Sequence, residues 1–130
     1  MKTVREILQS KGYEYWCVTP DTPVFDAIKM MADKNVGALP VFEADQLVGV
    51  ISERDYARKI VLKQLTSKDT PVREIMSKEV IHVSPEQTTD ECMALMTDHH
   101  VRHLPVLEGK KLIGVISIGD VIKAVRANPL

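Results

Sequence analysis

The sequence predicts an α+β fold: two copies of a strand-helix-strand-strand-helix unit, packed with pseudo-twofold symmetry. Three observations carry this. Residues 20–60 align without a gap on residues 85–125 at a constant offset of 65, with 14 of those 41 positions identical, and repetition on that scale marks a duplicated structural unit. Each copy also runs through the same patterns, a helical apolar spacing followed by two short apolar stretches and a second amphipathic stretch. Finally, 130 residues that are 45% apolar and 27% charged bury about two thirds of their unfolded surface without a metal or disulfide staple, and that composition excludes wholesale disorder.

Taken in order, Thr3 to residue 9 reads as a short helix and residues 16–18 as a short strand. Thr22 is placed to cap a helix with Pro23 at its first position. Val24, Ala27, Ile28 and Met31 then recur at i, i+3, i+4 and i+7, one helical face, with the end near Asn35. Residues 38–42 form an apolar strand, 43–46 a polar turn, and 47–51 a second strand, apolar throughout and so expected to be buried on both faces. Ser52 opens a second helix to about residue 62. Residues 63–70 are polar and rich in turn formers. Thr70 and Pro71 then start a short helix over 72–76, the counterpart of 3–9, because Val4-Arg5-Glu6-Ile7 returns as Val72-Arg73-Glu74-Ile75 at an offset of 68. The first copy therefore carries three extra residues between Gln9 and Thr19. The second copy predicts a strand at 81–83, a helix at 89–100 bearing Thr89, Cys92, Met93 and Met96 on one face, strands at 103–107 and 111–116, and a helix at 118–127. The boundaries expected are 12–62 and 78–127 for the repeats and 63–77 for the linker and short helix, within a single module over 1–130.

Several function classes drop out. A net charge of −1 provides no bulk attraction for nucleic acid or anionic membrane. The basic residues Lys59, Lys63, Lys68 and Arg73 lack the interleaved aromatics of a single-strand binder. The uncharged stretch 112–119 is too short to cross a bilayer, and Met1-Lys2-Thr3-Val4-Arg5-Glu6 is charged where a signal peptide is apolar; the expectation is a cytoplasmic protein. Cys17 and Cys92 have neither ligand nor disulfide spacing and read as small buried hydrophobes. His82, His99, His100 and His103 lack helical metal spacing, and His99 and His100 suit a helix C-terminus, where the dipole favours cations. Trp16 and Tyr15 read as partly buried, with stacking on a base as the alternative. The sequence has no nucleophile elbow, no phosphate-binding Walker loop and no dinucleotide fingerprint, so no enzyme is expected and no catalytic cofactor or metal.

Chemistry concentrates at Ser52-x-x-Asp55 and Ser117-x-x-Asp120, each at a strand-to-helix junction. A helix N-terminus offers unpaired N–H groups and partial positive charge to a phosphate. The serine hydroxyl can donate to it, and an ionised carboxylate one turn in accepts from both hydroxyls of a ribose. The same spacing makes a capping box, which needs no ligand; the two roles are compatible.

Two in-register copies of Leu-Pro-Val (Leu39-Pro40-Val41, Leu104-Pro105-Val106) and of Gly-Val-Ile-Ser-x-x-Asp (Gly49 to Asp55, Gly114 to Asp120) resemble a tandem pair of CBS domains, or Bateman module. Residues 52–59, Ser-Glu-Arg-Asp-Tyr-Ala-Arg-Lys, are similar to small stand-alone bacterial members. The resemblance implies a regulatory protein that is not an enzyme. It binds AMP, ADP, ATP, NAD(H) or S-adenosylmethionine in clefts between repeats, and signals occupancy to a partner not encoded in the chain. AMP or NAD(H) is favoured. Carried over, Ser52 and Asp55 with Arg54 would face His82, Ser84, Arg102 and His103, a phosphate-rich cleft. Arg54 reads equally as a solvated helix-surface arginine. Ser117 and Asp120 would face Thr19, Val36, Gly37 and Ala38, with fewer phosphate ligands. A homodimer is expected through the apolar faces of the first helices, together with Tyr56, Ile60, Val121, Ile122 and Val125. The alternative function is a protein-interaction subunit with vestigial clefts.

Overall fold

A computed structural model describes residues 2–127, which fall into two units, residues 16–80 and residues 2–15 together with 81–127. The elements in chain order are α1 (Val4–Lys11), α2 (Val24–Lys34), β1 (Ala38–Glu43), β2 (Gln46–Ser52) and a single α turn, α3 (Glu53–Asp55), continued by a π-helical stretch (Tyr56–Val61). After a 3₁₀ turn (Val72–Glu74) come α4 (Thr89–His99), β3 (His103–Glu108), β4 (Lys111–Ser117) and α5 (Ile118–Arg126).

The unit over 16–80 is built on the antiparallel hairpin β1-β2. Ala44 and Asp45 both take positive φ, 50° and 62°, as a two-residue hairpin turn matched to strand twist requires. α2 ends at Asn35 in the left-handed region, a common helix stop. Val24, Ala27 and Met31 from α2 pack with Leu39, Val41, Ile51, Ile60, Val72 and Ile75 into one core. β2 is not buried on both faces: Gly49 and Ile51 are, while Val48 and Val50 are half-buried, because a two-stranded hairpin is covered by helices on one side. Thr22 does not cap α2; Pro23 holds that position without a side-chain bond, and the Thr22 hydroxyl instead accepts from the Thr19 N–H at 3.1 Å. The segment over 72–76 closes as a 3₁₀ turn rather than a helix, because the chain departs at Ser77 to pair with Val50 of β2.

The second unit repeats the plan. β3 pairs antiparallel with β4, with a bulge one residue past Val106, where β1 has its own past Val41. Val83, Cys92, Met96, Leu104, Val106, Ile116, Val121 and Ala124 form its core with Val4, Ile7 and Leu8 of α1. Thr88 caps α4 through a capping box with Glu91, and His100 ends that helix in the left-handed region. In both repeats the leading strand shrinks to one parallel bridge, Val18 to Val41 and Val83 to Val106. Thr19-Pro20 and Ser84-Pro85 follow, and proline has no N–H with which to extend a ladder. The α+β class holds; each sheet has two strands.

One feature of the organisation was not legible in the repeat. α1 precedes the first repeat yet packs on the second, while residues 72–77 precede the second and pack on the first. The two dockings are the same contact made twice. The Val4 N–H donates to the Gln87 carbonyl and the Val72 N–H to the Thr22 carbonyl, both at 2.8 Å. Arg5 pairs with Glu86 at 2.9 Å, and Arg73 pairs with Asp21. Leu8 lies over Gly114 and its repeat equivalent Met76 over Gly49, so closely that a β-carbon would come within 2.7 Å and 2.8 Å of them.

Two further expectations are corrected. Cys17 is exposed, on the irregular segment before Val18, whereas Cys92 is fully buried. The helix faces expected to need a dimer partner are largely covered within their own units. Val24, Ala27, Met31, Ile60, Cys92, Met96 and Val121 are core, and of the residues named only Ile122 and Val125 are exposed. Among the described residues no helix is long and apolar enough to cross a membrane.

Candidate functional site at the strand-to-helix junctions

Each hairpin's second strand ends in a serine that caps the following helix. Ser52 and Ser117 both have extended backbone, and in each case the hydroxyl accepts from the N–H of the aspartate three residues on, at 3.2 Å. The aspartate answers by accepting from the serine N–H, 2.9 Å for Asp55 and 2.8 Å for Asp120. The capping box is therefore formed at both junctions. It satisfies two backbone donors and aims each carboxylate back across the helix start.

The structure adds a lysine to each carboxylate. At the first junction Lys59, one turn along, stands 3.5 Å from Asp55 Oδ1 and donates to the Ile75 carbonyl at 2.9 Å. At the second, Lys11 of α1 donates to Asp120 Oδ2 at 2.6 Å and to the Val115 carbonyl at 2.7 Å. Burial alone would raise the Asp120 pKa. The hydrogen bonds from Lys11 and Ser117 outweigh it and hold the carboxyl below its usual range. His103 is pushed down by burial first, then by Lys11 and Arg102, against the pull of Asp120; it is neutral at pH 7.

The residues singled out from the sequence divide between the units. Thr19, Val36, Gly37, Ala38, Ser52, Arg54 and Asp55 lie in the unit over 16–80, and His82, Ser84, Arg102, His103, Ser117 and Asp120 in the other. Within the first, Ala38 is the cross-strand partner of Ser52 and the Gly37 carbonyl accepts from the Glu53 N–H at 3.0 Å. Thr19 is engaged with Thr22, and the Val36 N–H donates to the Met31 carbonyl. Within the second, His103 is the cross-strand partner of Ser117, and the Arg102 carbonyl accepts from the Ile118 N–H at 2.8 Å. The Ser84 N–H donates to Gln87, and His82 is exposed. Sequence reasoning missed both lysines. Lys59 was open to view, because i, i+4 spacing from Asp55 puts the two on one helix face. Lys11 left no local trace, since α1 lies more than a hundred residues from Asp120 in sequence. Among the described residues no three His, Cys, Asp or Glu side chains gather as metal ligands would.

Comparison with known proteins decides the family. Residues 4–62 and 72–127 each match the CBS domain. The chain belongs to the CBS domain family. A CBS-domain protein from Burkholderia ambifaria MC40-6 superposes with a TM-score of 0.94 at 53% identity, covering 99% of this chain and 97% of its own. The mitochondrial CBS domain-containing protein CBSX3 of Arabidopsis thaliana is 46% identical over 133 residues, which are 95% of this chain and 64% of that relative; this chain thus spans under two thirds of its length. The CBS domain pair of protein MJ0100, solved with 5-methylthioadenosine and S-adenosyl-L-methionine, has a TM-score of 0.85 at 19% identity, covering 98% of both chains, a likeness of fold alone. The Ser-x-x-Asp junctions thus stand at equivalent places in two CBS repeats.

Proposed function

We propose that this CBS pair is a regulatory, non-catalytic module that binds adenosine-containing nucleotides, AMP or NAD(H) foremost, and passes their occupancy to a partner protein. The observation that carries the reading is the doubled junction. At each, a helix N-terminus, a serine hydroxyl and a half-buried carboxylate meet within one turn, which supplies the donors a phosphate needs and the acceptors a ribose needs. Asp55 and Asp120 take ribose hydroxyls, Ser52 and Ser117 take phosphate, and Arg54 and Arg102 add positive charge. His82, Ser84, His103, Thr19, Val36, Gly37 and Ala38 complete the proposed contacts. The binding of adenosine compounds by MJ0100, a protein of the same fold, supports the class of ligand.

Titration calorimetry and thermal shift with AMP, ADP, ATP, NAD, NADH and S-adenosylmethionine test this. Binding stabilises the folded state by mass action, about 2.7 kcal/mol at a hundredfold excess over Kd. Asp55→Asn and Asp120→Asn, which keep the carboxylate's shape, each weaken one binding event. Silence of the whole panel at millimolar ligand refutes the reading. Association of two copies, and action in the cytoplasm, belong to the same proposal. Exposed Phe25, Val61, Leu62 and Leu65 favour a protein contact. Light scattering on the same samples distinguishes 14.6 kDa from twice that mass, and cell fractionation reads the compartment.

A further inference from the structure

Lys11 reaches a junction carboxylate from a distant segment of chain. Its ammonium has three donors and spends two, on Asp120 Oδ2 at 2.6 Å and on the Val115 carbonyl at 2.7 Å. Asp120 Oδ2 also accepts from the Ser117 N–H, so the lysine and the cap share one carboxylate oxygen. Both side chains are open to a ligand yet partly withdrawn from water, 35% and 24% exposed, a setting in which charge is felt more strongly than in bulk solvent. Arg102, whose carbonyl accepts from the first N–H of α5, is exposed, and its positive charge is felt at His103, the cross-strand partner of Ser117. Lys11 and Arg102 against Asp120 leave one net positive charge. Continued past the matched residues, the offset of 68 sets Lys11 against Glu79, and the ion pair at the other junction is made instead by Lys59, four residues along from Asp55. That lysine stands farther from its carboxylate and bonds the Ile75 carbonyl.

We infer that Lys11 sets the ligand class of the Ser117–Asp120 junction: it selects adenosine compounds that carry a phosphate over neutral or sulfonium ones. The inference rests on the nucleotide-binding reading above. Lys11 neutralises the carboxylate that would otherwise attract a cation, holds it in place for a ribose hydroxyl, and offers its remaining donor to a phosphate oxygen. A sulfonium such as that of S-adenosylmethionine meets net positive charge there, and adenosine gains nothing from it.

The test is the ratio of AMP to adenosine affinity by calorimetry, in an Asp55→Asn background so that one junction is read. Lys11→Met keeps the aliphatic stem and removes the charge; the ratio is expected to fall about tenfold or more, the scale of a charge-assisted hydrogen bond. Lys11→Arg is expected to preserve it. If Lys11→Met loses the fold by circular dichroism, the unmutated lysine still answers. The ratio should fall as salt rises from 0.05 to 0.5 M, because the preference is ionic. A ratio unmoved by Lys11→Met, or by salt, overturns the role of Lys11 while leaving nucleotide binding intact. Failure of both AMP and adenosine to bind the unmutated protein overturns the nucleotide reading itself, and this inference with it.

Discussion

Replacing Gly114 with alanine tests the placement of α1, on which the position of Lys11 depends. A β-carbon at Gly114 would stand 2.7 Å from Leu8 Cδ2, closer than real β-carbons come to any atom, and 3.4 Å from Leu8 Cδ1, so the Leu8 side chain or the segments that carry the pair must give. Leu8 is fully buried, and overfilling such a core costs about 1–3 kcal/mol. Leu8→Ala alone opens a cavity and costs about 2–5 kcal/mol. The double variant puts the new methyl where the leucine was, so its cost is expected to fall below the sum of the single costs by about 1 kcal/mol or more. Urea unfolding followed by circular dichroism reads the cycle, with unchanged m-values as the condition for comparing midpoints. Additivity within about 0.5 kcal/mol, the behaviour of sites that do not touch, would refute the packing of α1 on the second repeat. The pseudo-equivalent Gly49→Ala should cost more than Gly114→Ala. There the β-carbon meets the Ser77 carbonyl oxygen at 2.9 Å as well as Met76 Sδ, and a backbone oxygen held in a bridge by the Val50 N–H cannot turn aside as a side chain can.

Cys17 and Cys92 should separate in a thiol assay. At pH 8 the native protein is expected to release one equivalent of thionitrobenzoate, from exposed Cys17, and the denatured protein two, because burial and then Glu91 push the Cys92 thiol up to about 11; two equivalents released at equal rates from native protein would contradict the burial of Cys92. Stability should also carry two acid limbs with the same sign. The His103 pKa is depressed on folding, so its contribution is complete above the unfolded value of about 6.5 and is lost as pH falls toward the folded one. The Asp120 pKa is likewise depressed, so its contribution is complete above about 3.8 and lost below it. His103→Gln should flatten the melting temperature between pH 7 and 5, and Asp120→Asn should flatten it below pH 4. An unchanged slope in either variant would show that the group does not titrate against the folded state as the geometry requires.

Local pattern was enough for a great deal. The duplication, the α+β class and the helices over 24–34, 89–99 and 118–126 follow from apolar periodicity, since burying one stripe of a helix requires residues three and four apart. The two Ser-x-x-Asp caps were legible because a capping box closes within four residues and needs nothing remote. The leading strands are shorter than their side chains suggest, because Val18 and Val83 are strand formers while the prolines two residues on stop the ladder. Tertiary structure alone decided which repeat each entering segment covers. Val4-Arg5-Glu6-Ile7 and Val72-Arg73-Glu74-Ile75 present the same apolar face, and either would suit either hairpin by pattern. The choice is made by chain connectivity and by close packing on Gly114 and Gly49, contacts spanning many residues that no local period encodes. For the same reason Asp55 could have been paired with Lys59 from the sequence by one helical turn, whereas the pairing of Asp120 with Lys11 exists only because α1 folds back onto β4 and α5.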